Sequence, residues 1–311
     1  MPLLNKVLQG DVLAAAKLMR GLEDGVPEAV AELEQIYRHT GKAYIVGVSG
    51  APGAGKSTLL GCLIGAFRKR NMKVGVVAID PTSPLTGGAI LGDRLRMQGH
   101  GDDKDVFIRS LASRGWKGGL SRATMNTVNV LDAMGKDIIF VEAVGSGQGE
   151  VDFARVADTS VVVLVPGMGD EIQTMKAGIM EMADIFVINK SERDGSENLK
   201  MSLEAMLAMT PCQPNEWQPC IVLTEATLDK GTEPLAEEIL RHKAFLVSSG
   251  EMAERRRRRA ELELTVAVES ALRNLMETAD GRYLAKLVND LADRKTDPMS
   301  AALKVISLHK T

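Results

Sequence analysis

Aromatic side chains and cysteines are scarce in this sequence of 311 residues. Phe, Trp and Tyr make up only 4% of the chain, so the core must consist mostly of aliphatic side chains and of the 16 methionines. The three cysteines, Cys62, Cys212 and Cys220, are far apart and form no C-x-x-C pair. This spacing argues against a disulfide framework and against a cysteine-based zinc site, and it indicates reduced thiols.

Long apolar runs and a strong excess of charge are also lacking. The strongest apolar run near the middle, Val161–Val165, is far too short to span a bilayer, and the N-terminus shows no secretory signal. Asp11, Glu23 and Asp24 argue against a mitochondrial transit peptide. The formal net charge of −3 gives no electrostatic reason to bind nucleic acid. We therefore expect a cytoplasmic protein whose partners include neither a membrane nor a nucleic acid.

Short β-branched runs alternate with helical stretches over most of the sequence. Nearly continuous apolar runs of this kind are typical of strands that are buried on both faces of a parallel sheet. The predicted strands are 43–48, 74–79, 137–141, 160–165, 185–188 and 220–223. The pattern predicts an α/β fold with a doubly wound, mostly parallel sheet over 41–248. Helical spacing predicts an N-terminal helical extension over 1–40 and a helical C-terminal arm over 249–311, which either dimerises or packs on its own chain.

One glycine-rich segment matches the pattern G-x-x-x-x-G-K-[ST] without a mismatch, between a predicted strand and a predicted helix. Its glycines let the backbone turn tightly and present N–H groups to phosphates, and the helix start adds partial positive charge. Lys56 is expected to bridge the β- and γ-phosphate oxygens, and Ser57 to place its hydroxyl on Mg²⁺. The sheet is therefore predicted to be of the P-loop NTPase type. The predicted nucleotide-binding residues here are Gly50, Ala51, Pro52, Gly53, Ala54, Gly55, Lys56, Ser57 and Thr58.

Acidic residues follow two of the predicted strands, as Asp80 and Glu142. Because ligands bind at the carboxyl ends of strands in an open α/β sheet, both carboxylates are expected to hold Mg²⁺ directly or through water. Glu142 stands where P-loop enzymes keep their Walker B acid, and Gly145 would let the backbone approach the γ-phosphate. Asp93, in a glycine-flanked segment, could join the Mg²⁺ or orient the attacking water, and Lys56, Asp93 and Glu142 are the predicted catalytic residues. The alternative is that these acids only cap strands or face solvent.

The segment Asn189-Lys190-Ser191-Glu192 follows the predicted strand 185–188. GTPases carry N-K-x-D at this place, and the carboxylate accepts hydrogen bonds from guanine. Glu192 replaces the usual Asp, so guanine is favoured and adenine is the alternative. A turn after the strand 220–223 stands where GTPases use a small turn whose backbone contacts the guanine carbonyl. The predicted base-binding residues are Asn189, Lys190, Glu192, Thr224, Glu225 and Ala226.

A run of five arginines, Arg255–Arg259, lies in the predicted C-terminal arm. Such a run can mark a surface that binds nucleic acid or anionic lipid. Here acids stand on both sides within i,i+4 reach on a helix, namely Glu251, Glu254, Glu261 and Glu263. The pattern therefore favours a helix face of salt bridges, either solvated or at an interface.

Taken in order, these motifs resemble the MeaB/ArgK-type G proteins, which include the methylmalonic aciduria type A protein. The resemblance covers nearly the whole chain and is most distinctive in the Gly-Asp-Arg-x-Arg-Met and Pro-Gly-x-Gly-Asp-Glu-x-Gln segments. The residues that carry it are 50–57, 80–84, 87–97, 142–148, 166–173 and 189–190.

The resemblance implies a role that the motifs alone do not give. Members of this family are GTPase chaperones of adenosylcobalamin-dependent acyl-CoA mutases, which gate cofactor loading, protect the mutase and help to eject damaged cofactor. They bind GTP or GDP with Mg²⁺, and they form homodimers through C-terminal helices. The segment 166–176 corresponds to their third switch, which senses the nucleotide and contacts the mutase. The coupling residues that the resemblance implies are Asp170, Glu171, Gln173 and Lys176.

The chain departs from the family pattern at four further positions besides Glu192: Arg94 and Leu95 replace Lys-Thr, and Ala143 and Ser146 replace Thr and Val. These changes suggest a divergent branch matched to a mutase other than methylmalonyl-CoA mutase. The alternatives are a metallochaperone GTPase for nickel enzymes, a nucleotide-dependent kinase linked to amino-acid transport, and a nucleotide-gated binding module without turnover.

Overall fold

The computed structural model describes residues 3–80, 102–112, 122–143, 156–167, 183–209 and 215–308. Seven strands form one parallel sheet in the order β3-β2-β4-β1-β5-β6-β7. They are β1 (Tyr44–Gly50), β2 (Val74–Asp80), β3 (Val106–Ala112), β4 (Ile138–Glu142), β5 (Thr159–Leu164), β6 (Ile185–Asn189) and β7 (Cys220–Thr224). The predicted doubly wound α/β fold is confirmed.

Strand β3 is the one strand among the described residues that the apolar pattern did not predict. Its sequence, VFIRSLA, is interrupted by Arg109 and Ser110, whereas β1 is buried along its whole length. The interruption has a physical reason, because β3 is one of the two edge strands and pairs with β2 alone. Arg109 forms an ion pair there with Glu23 of the N-terminal region.

The described residues form ten α-helices. In chain order they are α1 (Leu3–Leu8), α2 (Val12–Glu23), α3 (Pro27–Tyr37), α4 (Lys56–Lys69), α5 (Arg122–Ala133), α6 (Ser196–Met209), α7 (Thr232–Ser249), α8 (Glu251–Thr278), α9 (Gly281–Ala292) and α10 (Pro298–Leu308). None of the helices within the described residues is long and apolar enough to cross a membrane.

The main core lies between the sheet and the two helices α4 and α7, and it is aliphatic apart from a few rings. Leu59, Leu63 and Phe67 of α4 are fully buried against it, and the Phe67 ring meets Phe140 of β4 edge-on at 5.6 Å. A smaller cluster around Phe186 and helix α6 covers β5 and β6. Burial of these apolar side chains holds the strand ends in register, which is what places the site residues.

The N-terminal helices are joined to the sheet through one carboxylate. Asp132 of α5 accepts hydrogen bonds from the backbone N–H groups of Gly41, Lys42 and Ala43, at 2.6, 3.2 and 3.0 Å. These three residues connect α3 to β1, so the entry into the first strand is fixed by a buried side chain. Helices α2 and α3 both contact α5.

The described chain divides into two compact units, Met1–Arg259 and Ala260–Thr311. The second unit has its own small apolar cluster, in which Leu287 of α9 packs with Ala301 and Val305 of α10. Helix α8 begins in the first unit and continues into the second. The boundaries at residues 40 and 248, which came from composition and periodicity, stay predictions.

Candidate nucleotide-binding site

The glycine-rich loop 50–57 connects β1 to α4 at the carboxyl edge of the sheet. Gly50 has a φ of +139°, and a Cβ at this position would lie 2.2 Å from the carbonyl oxygen of Val163 on the neighbouring strand. Gly55, at the N-cap of α4, has a φ of +90°, and its Cβ would lie 2.3 Å from the amide nitrogen of Asn189. Only glycine fits at both positions, because any side chain would meet both strain and a steric clash.

Carbonyl oxygens of the loop accept hydrogen bonds from three side chains. The Lys56 ammonium donates to the carbonyls of Gly50 and Ala51, at 2.8 and 3.1 Å. The remaining donors come from the end of β6: Lys190 Nζ donates to Gly53 and Asn189 Nδ2 to Ala54, both at 2.8 Å. The loop is thus fixed both by its own lysine and by the segment predicted to bind the base.

This arrangement can hold an anion. The start of α4 carries partial positive charge and presents backbone N–H groups, and the Lys56 side chain is only 8% exposed. A buried ammonium that is bonded to neutral carbonyls keeps most of its charge available to a phosphate oxygen. The geometry is therefore that of a phosphate-binding loop.

Two oxygen-bearing side chains meet beside the loop. The Ser57 hydroxyl donates to Glu142 Oε1 at 2.8 Å, and the Glu142 side chain is 5% exposed. Strand β4 delivers Glu142 there because its last residue lies in register with Val48 of β1, two residues before Gly50. A hydroxyl and a carboxylate so close together are ligands that Mg²⁺ prefers.

The other predicted acids are described only in part. Asp80 is the last residue of β2, as predicted, but its side chain lies outside the described part of the structure. Asp93 and Gly145 lie outside the described residues altogether. The four predicted switch residues, Asp170, Glu171, Gln173 and Lys176, also lie outside them.

Asn189 links the phosphate loop to the predicted base-binding turn. Its Oδ1 accepts hydrogen bonds from Thr224 Oγ1 at 3.1 Å and from the Ala226 N–H at 3.2 Å. Its Nδ2 donates to the Ala54 carbonyl. The side chain is 2% exposed, and the backbone N–H of Ser191 donates to the Thr224 carbonyl at 3.1 Å. The ends of β6 and β7 and the phosphate loop therefore form one hydrogen-bonded unit.

The remaining base-binding candidates are nearer the surface. Glu192 is exposed, and it follows Lys190, whose φ of +57° turns the chain sharply. The Glu225 carboxylate pairs with Lys230 at 3.1 Å, and the Ala226 carbonyl accepts from the Cys62 thiol of α4 at 3.2 Å. Cys62 and Lys230 were not predicted as part of this site. Cys62 is 164 positions from Ala226, and nothing in the sequence indicates that contact, whereas Lys230 is only five positions from Glu225 and was overlooked.

The opposite, amino-terminal edge of the sheet holds a second cluster of buried charges. Arg255 of α8 binds Asp184 through two hydrogen bonds of 2.8 and 2.7 Å, and Arg259 binds Asp158 at 3.0 Å. The predicted helix face of salt bridges is thus found for Arg257 and Arg258, which pair with Glu254. For Arg255 and Arg259 the partners are different: two acids of the sheet edge, both buried.

A neutral histidine completes this second cluster. His242 of α7 is fully buried, with Nδ1 2.8 Å from Thr159 Oγ1 and Nε2 3.4 Å from Asp184 Oδ1. Burial lowers the pKa of His242 to about 4, although the Asp184 carboxylate acts in the opposite direction. The Tyr44 hydroxyl bonds to the same Thr159 hydroxyl, and burial raises the pKa of Tyr44. The Trp217 ring lies against His242, with centroids 4.6 Å apart.

The fold and the loop at the carboxyl edge define a P-loop nucleotide hydrolase. The model of the family described as "Methylmalonyl Co-A mutase-associated GTPase MeaB" matches residues 15–281. The chain belongs to this MeaB family and is a GTPase of the MeaB/ArgK type.

Similar proteins agree with this assignment. The putative GTPase PYRAB02490 of Pyrococcus abyssi is 47% identical over 303 residues, covering 96% of this chain and 94% of the relative. GTPase ArgK of Escherichia coli is 34% identical over 264 residues, covering 83% and 80%. Among solved structures, that of a protein called "LAO/AO transport system kinase" has a TM-score of 0.71 at 26% identity, covering 99% of this chain and 97% of the other.

Proposed function

We propose that this protein is a GTP-hydrolysing chaperone that gates cofactor loading into an adenosylcobalamin-dependent acyl-CoA mutase and protects or reactivates that mutase. The observation that carries the proposal is the combination of family membership over residues 15–281 with a fully formed phosphate loop. The family description names methylmalonyl-CoA mutase. The departures at Ala143, Ser146 and Glu192 favour a different mutase of the same cofactor class.

The nucleotide is proposed to lie along the carboxyl edge of the sheet. Its phosphates would bind the loop 50–57, and Thr58 would contribute from the first turn of α4. Its guanine would lie against the segments 189–192 and 224–226, with Glu192 accepting from the base and the Ala226 backbone meeting its carbonyl. Because Asn189 is bonded to the loop and to the second segment, binding of either end of the nucleotide would order the other.

The residues beside the loop fit Mg²⁺, since Ser57 and Glu142 offer hard oxygen ligands within 2.8 Å of each other. Asp80 and Asp93 are the further proposed ligands. The ion, when bound, neutralises charge on the β- and γ-phosphate oxygens. Glu142 would hold it directly or through water, and the Ser57 hydroxyl, which donates its hydrogen to Glu142, would offer a lone pair to the ion.

For hydrolysis, water attacks the γ-phosphorus and the bond to the β-phosphate oxygen breaks, giving GDP and phosphate. Lys56 would move from the carbonyls of Gly50 and Ala51 to the phosphate oxygens and stabilise the charge that develops there. Asp93 is proposed to orient the attacking water. No arginine is assigned to the transition state, so turnover is expected to be slow and to rise when the mutase binds.

The C-terminal helices are proposed to form a homodimer. Helix α8 exposes four apolar side chains at intervals of four residues, Leu264, Val268, Leu272 and Met276. This spacing makes one continuous stripe along the helix, and a partner helix would remove it from water. The proposed mutase-coupling residues are those of the third switch, Asp170, Glu171, Gln173 and Lys176.

Titration calorimetry with GTP, GDP and a non-hydrolysable ATP analogue, all with Mg²⁺, tests the nucleotide. Lys56→Ala should abolish GTP binding, and Lys69→Ala, which changes an exposed lysine at the far end of the same helix, should not. A preference for the ATP analogue would overturn the assignment to guanine.

The partner is tested by repeating the titration with a purified adenosylcobalamin-dependent acyl-CoA mutase. The mutase should bind with an affinity that depends on the nucleotide, and it should raise phosphate release at least about tenfold. If binding is absent, or is identical with GDP and GTP, the chaperone role is wrong even where GTP hydrolysis is observed.

A kinase linked to amino-acid transport is the second candidate, and it is favoured by the name of the protein whose solved structure has a TM-score of 0.71, "LAO/AO transport system kinase". γ-Labelled GTP separates the two functions, because a kinase transfers the label to a protein acceptor and a GTPase releases it as phosphate. The nickel-enzyme alternative has no such support: in the described ranges, no three His, Cys, Asp or Glu side chains are placed to hold a metal ion.

A further inference from the structure

The turn that follows β7 is closed by its own backbone. The Glu225 N–H donates to the Lys230 carbonyl at 3.0 Å, and the Lys230 N–H donates back to the Glu225 carbonyl at 3.3 Å. The two residues thus stand opposite each other as an antiparallel pair. Between them, Ala226–Leu228 form a short 3₁₀-helix and Asp229 has a φ of +53°. The backbone therefore places Glu225 and Lys230 side by side before their side chains interact.

Contacts on two sides fix this turn in the fold. Gly231 has a φ of +76°, and a Cβ there would lie 2.1 Å from the Leu223 carbonyl oxygen, so the end of the turn packs directly on β7. At the start of the turn, the Ala226 carbonyl accepts from the Cys62 thiol of α4, and the Ala226 N–H donates to Asn189, both at 3.2 Å. The positions of the charged residues in the turn are therefore set by the sheet and by α4.

Glu225 and Lys230 form an ion pair whose members differ in exposure. The Glu225 side chain is 18% exposed and the Lys230 side chain 63%, and their charged atoms lie 3.1 Å apart. An ion pair between two freely moving surface side chains contributes little, because holding them together costs entropy. Here the backbone already holds the two residues opposite each other, and the carboxylate is largely withdrawn from water. Glu225 therefore depends on the Lys230 ammonium to compensate its charge.

A second carboxylate belongs to the same edge of the sheet. The Ser191 N–H donates to the Thr224 carbonyl at 3.1 Å. Glu192 directly follows the first of these residues, and Glu225 directly follows the second. In guanine, N1–H and the 2-amino group are donors and the 6-carbonyl oxygen is an acceptor. A carboxylate attracts the donors, but a second carboxylate without a nearby positive charge would repel both the first one and the carbonyl oxygen.

We propose that Lys230 is a positioning residue that favours guanine: its ammonium compensates Glu225, so that Glu192 presents the one uncompensated carboxylate to the donors of the base. The 6-carbonyl oxygen then meets the backbone of the turn without repulsion. Adenine carries an amino group in place of this carbonyl, so it gains nothing from the compensation. The inference rests on the proposed binding of guanine at the segments 189–192 and 224–226.

Titration calorimetry with GTP and with a non-hydrolysable ATP analogue, both with Mg²⁺, tests this role. In Lys230→Met, affinity for GTP should fall about threefold, and affinity for the ATP analogue should not fall. Lys230→Arg keeps the positive charge and should keep the affinity for GTP. Adding Glu225→Gln to Lys230→Met should return the affinity for GTP to within about twofold of the unaltered protein, because the amide has no charge to compensate. A purely structural ion pair would not be rescued in this way.

The matched control is Lys295→Met. Lys295 pairs with Asp293 at 2.8 Å and its side chain is 65% exposed, so this variant removes an ion pair of a lysine as exposed as Lys230. The control should change neither affinity.

Three results with the Lys230 variants would overturn the inference. They are an unchanged affinity for GTP in Lys230→Met, an equal loss for GTP and the ATP analogue, and a failure of Glu225→Gln to restore the affinity for GTP. If the unaltered protein does not prefer GTP to the ATP analogue, the proposed guanine site is wrong, and the inference is wrong with it. A preference for GTP that does not depend on Lys230 leaves the proposed function in place and removes the inference alone.

Discussion

Both edges of the sheet hold charged side chains with little exposure, but the hydrogen-bond partners of these side chains differ between the two edges. At the carboxyl edge, Lys56 is bonded to neutral carbonyls, and Glu142 is bonded to a neutral hydroxyl. At the amino edge, Arg255 meets Asp184 and Arg259 meets Asp158, so each charge has an opposite charge within 3.0 Å. The first edge is arranged to receive ionic ligands, and the second is closed within the protein.

This difference predicts which property of the protein a substitution at each edge should change. A charge removed from the carboxyl edge takes away a contact proposed for the nucleotide phosphates or for Mg²⁺. A charge removed from the amino edge leaves its partner without an opposite charge. The resulting loss in the free energy of unfolding is larger than the loss caused by breaking an exposed ion pair. The carboxyl edge should therefore respond mainly in nucleotide affinity, and the amino edge mainly in the free energy of unfolding.

The largest effect is expected from Lys56→Ala. Affinity for GTP should fall on the order of 10²-fold or more, because the substitution removes the buried ammonium proposed to bind the β- and γ-phosphate oxygens. The free energy of unfolding without nucleotide should change by only about 1 kcal/mol, the worth of the hydrogen bonds to Gly50 and Ala51. Calorimetry measures the affinity for GTP, and urea unfolding measures the free energy of unfolding. If the loss in the free energy of unfolding exceeds the loss in the free energy of binding, the proposed difference between the two edges is wrong.

The reverse is expected for Asp184→Asn. Arg255, whose side chain is 24% exposed, then loses the opposite charge, so the free energy of unfolding should fall by about 2 kcal/mol, less than for a fully buried pair. GTP affinity should change little, because Asp184 directly precedes β6 and lies at the edge of the sheet opposite the phosphate loop. The control is Glu254→Gln, which removes the partner of the exposed Arg257 and Arg258 and should leave the free energy of unfolding almost unchanged.

His242 gives the amino edge a pH dependence of its own. Its pKa is about 4 in the folded protein and near 6.5 in an unfolded chain, so the unfolded state binds the proton first. Stability should therefore fall as the pH drops through 6.5 toward 4. Between pH 7 and pH 5 the loss from this group should be about 2 kcal/mol. In His242→Gln, the free energy of unfolding measured with urea should fall by about 2 kcal/mol less than in the unaltered protein between pH 7 and pH 5. If the variant shows the same dependence of this free energy on pH, His242 is not its cause.

The two edges also differ in how far they can be predicted from the sequence. The phosphate loop, Glu142 and Asn189 were placed correctly at the carboxyl edge, because each follows a strand and short-range patterns locate strand ends. The ion pair between Arg255 and Asp184 was not predicted, since the two residues are 71 positions apart and only the fold brings them together. The sequence suggested acids close to the arginine run as its partners, and in the structure Glu254 pairs with Arg257 and Arg258.

Strand β3 shows a related limit. A strand at the edge of a sheet is covered less completely, so it tolerates Arg109 and Ser110 and loses the continuous apolar run that the inner strands have. Its position could be found only through its pairing with β2 and through the ion pair between Arg109 and Glu23. Burial on both faces made the inner strands predictable, and the edge strand β7 kept enough of an apolar run to be predicted as well, whereas the polar residues of β3 concealed it.

The smallest effect is expected at the exposed end of the carboxyl edge, at Glu192. Glu192→Asp restores the shorter side chain that guanine-reading segments use, and with fewer rotatable bonds it loses less entropy on binding. GTP affinity should rise about threefold while affinity for an ATP analogue stays constant. Glu197→Asp, an exposed glutamate a few residues later in α6, is the matched control and should change neither. If Glu192→Asp and Glu192→Ala both leave the ratio of GTP to ATP affinity unchanged, Glu192 does not contact the base, and selection of guanine must come from the backbone of the turn 224–226.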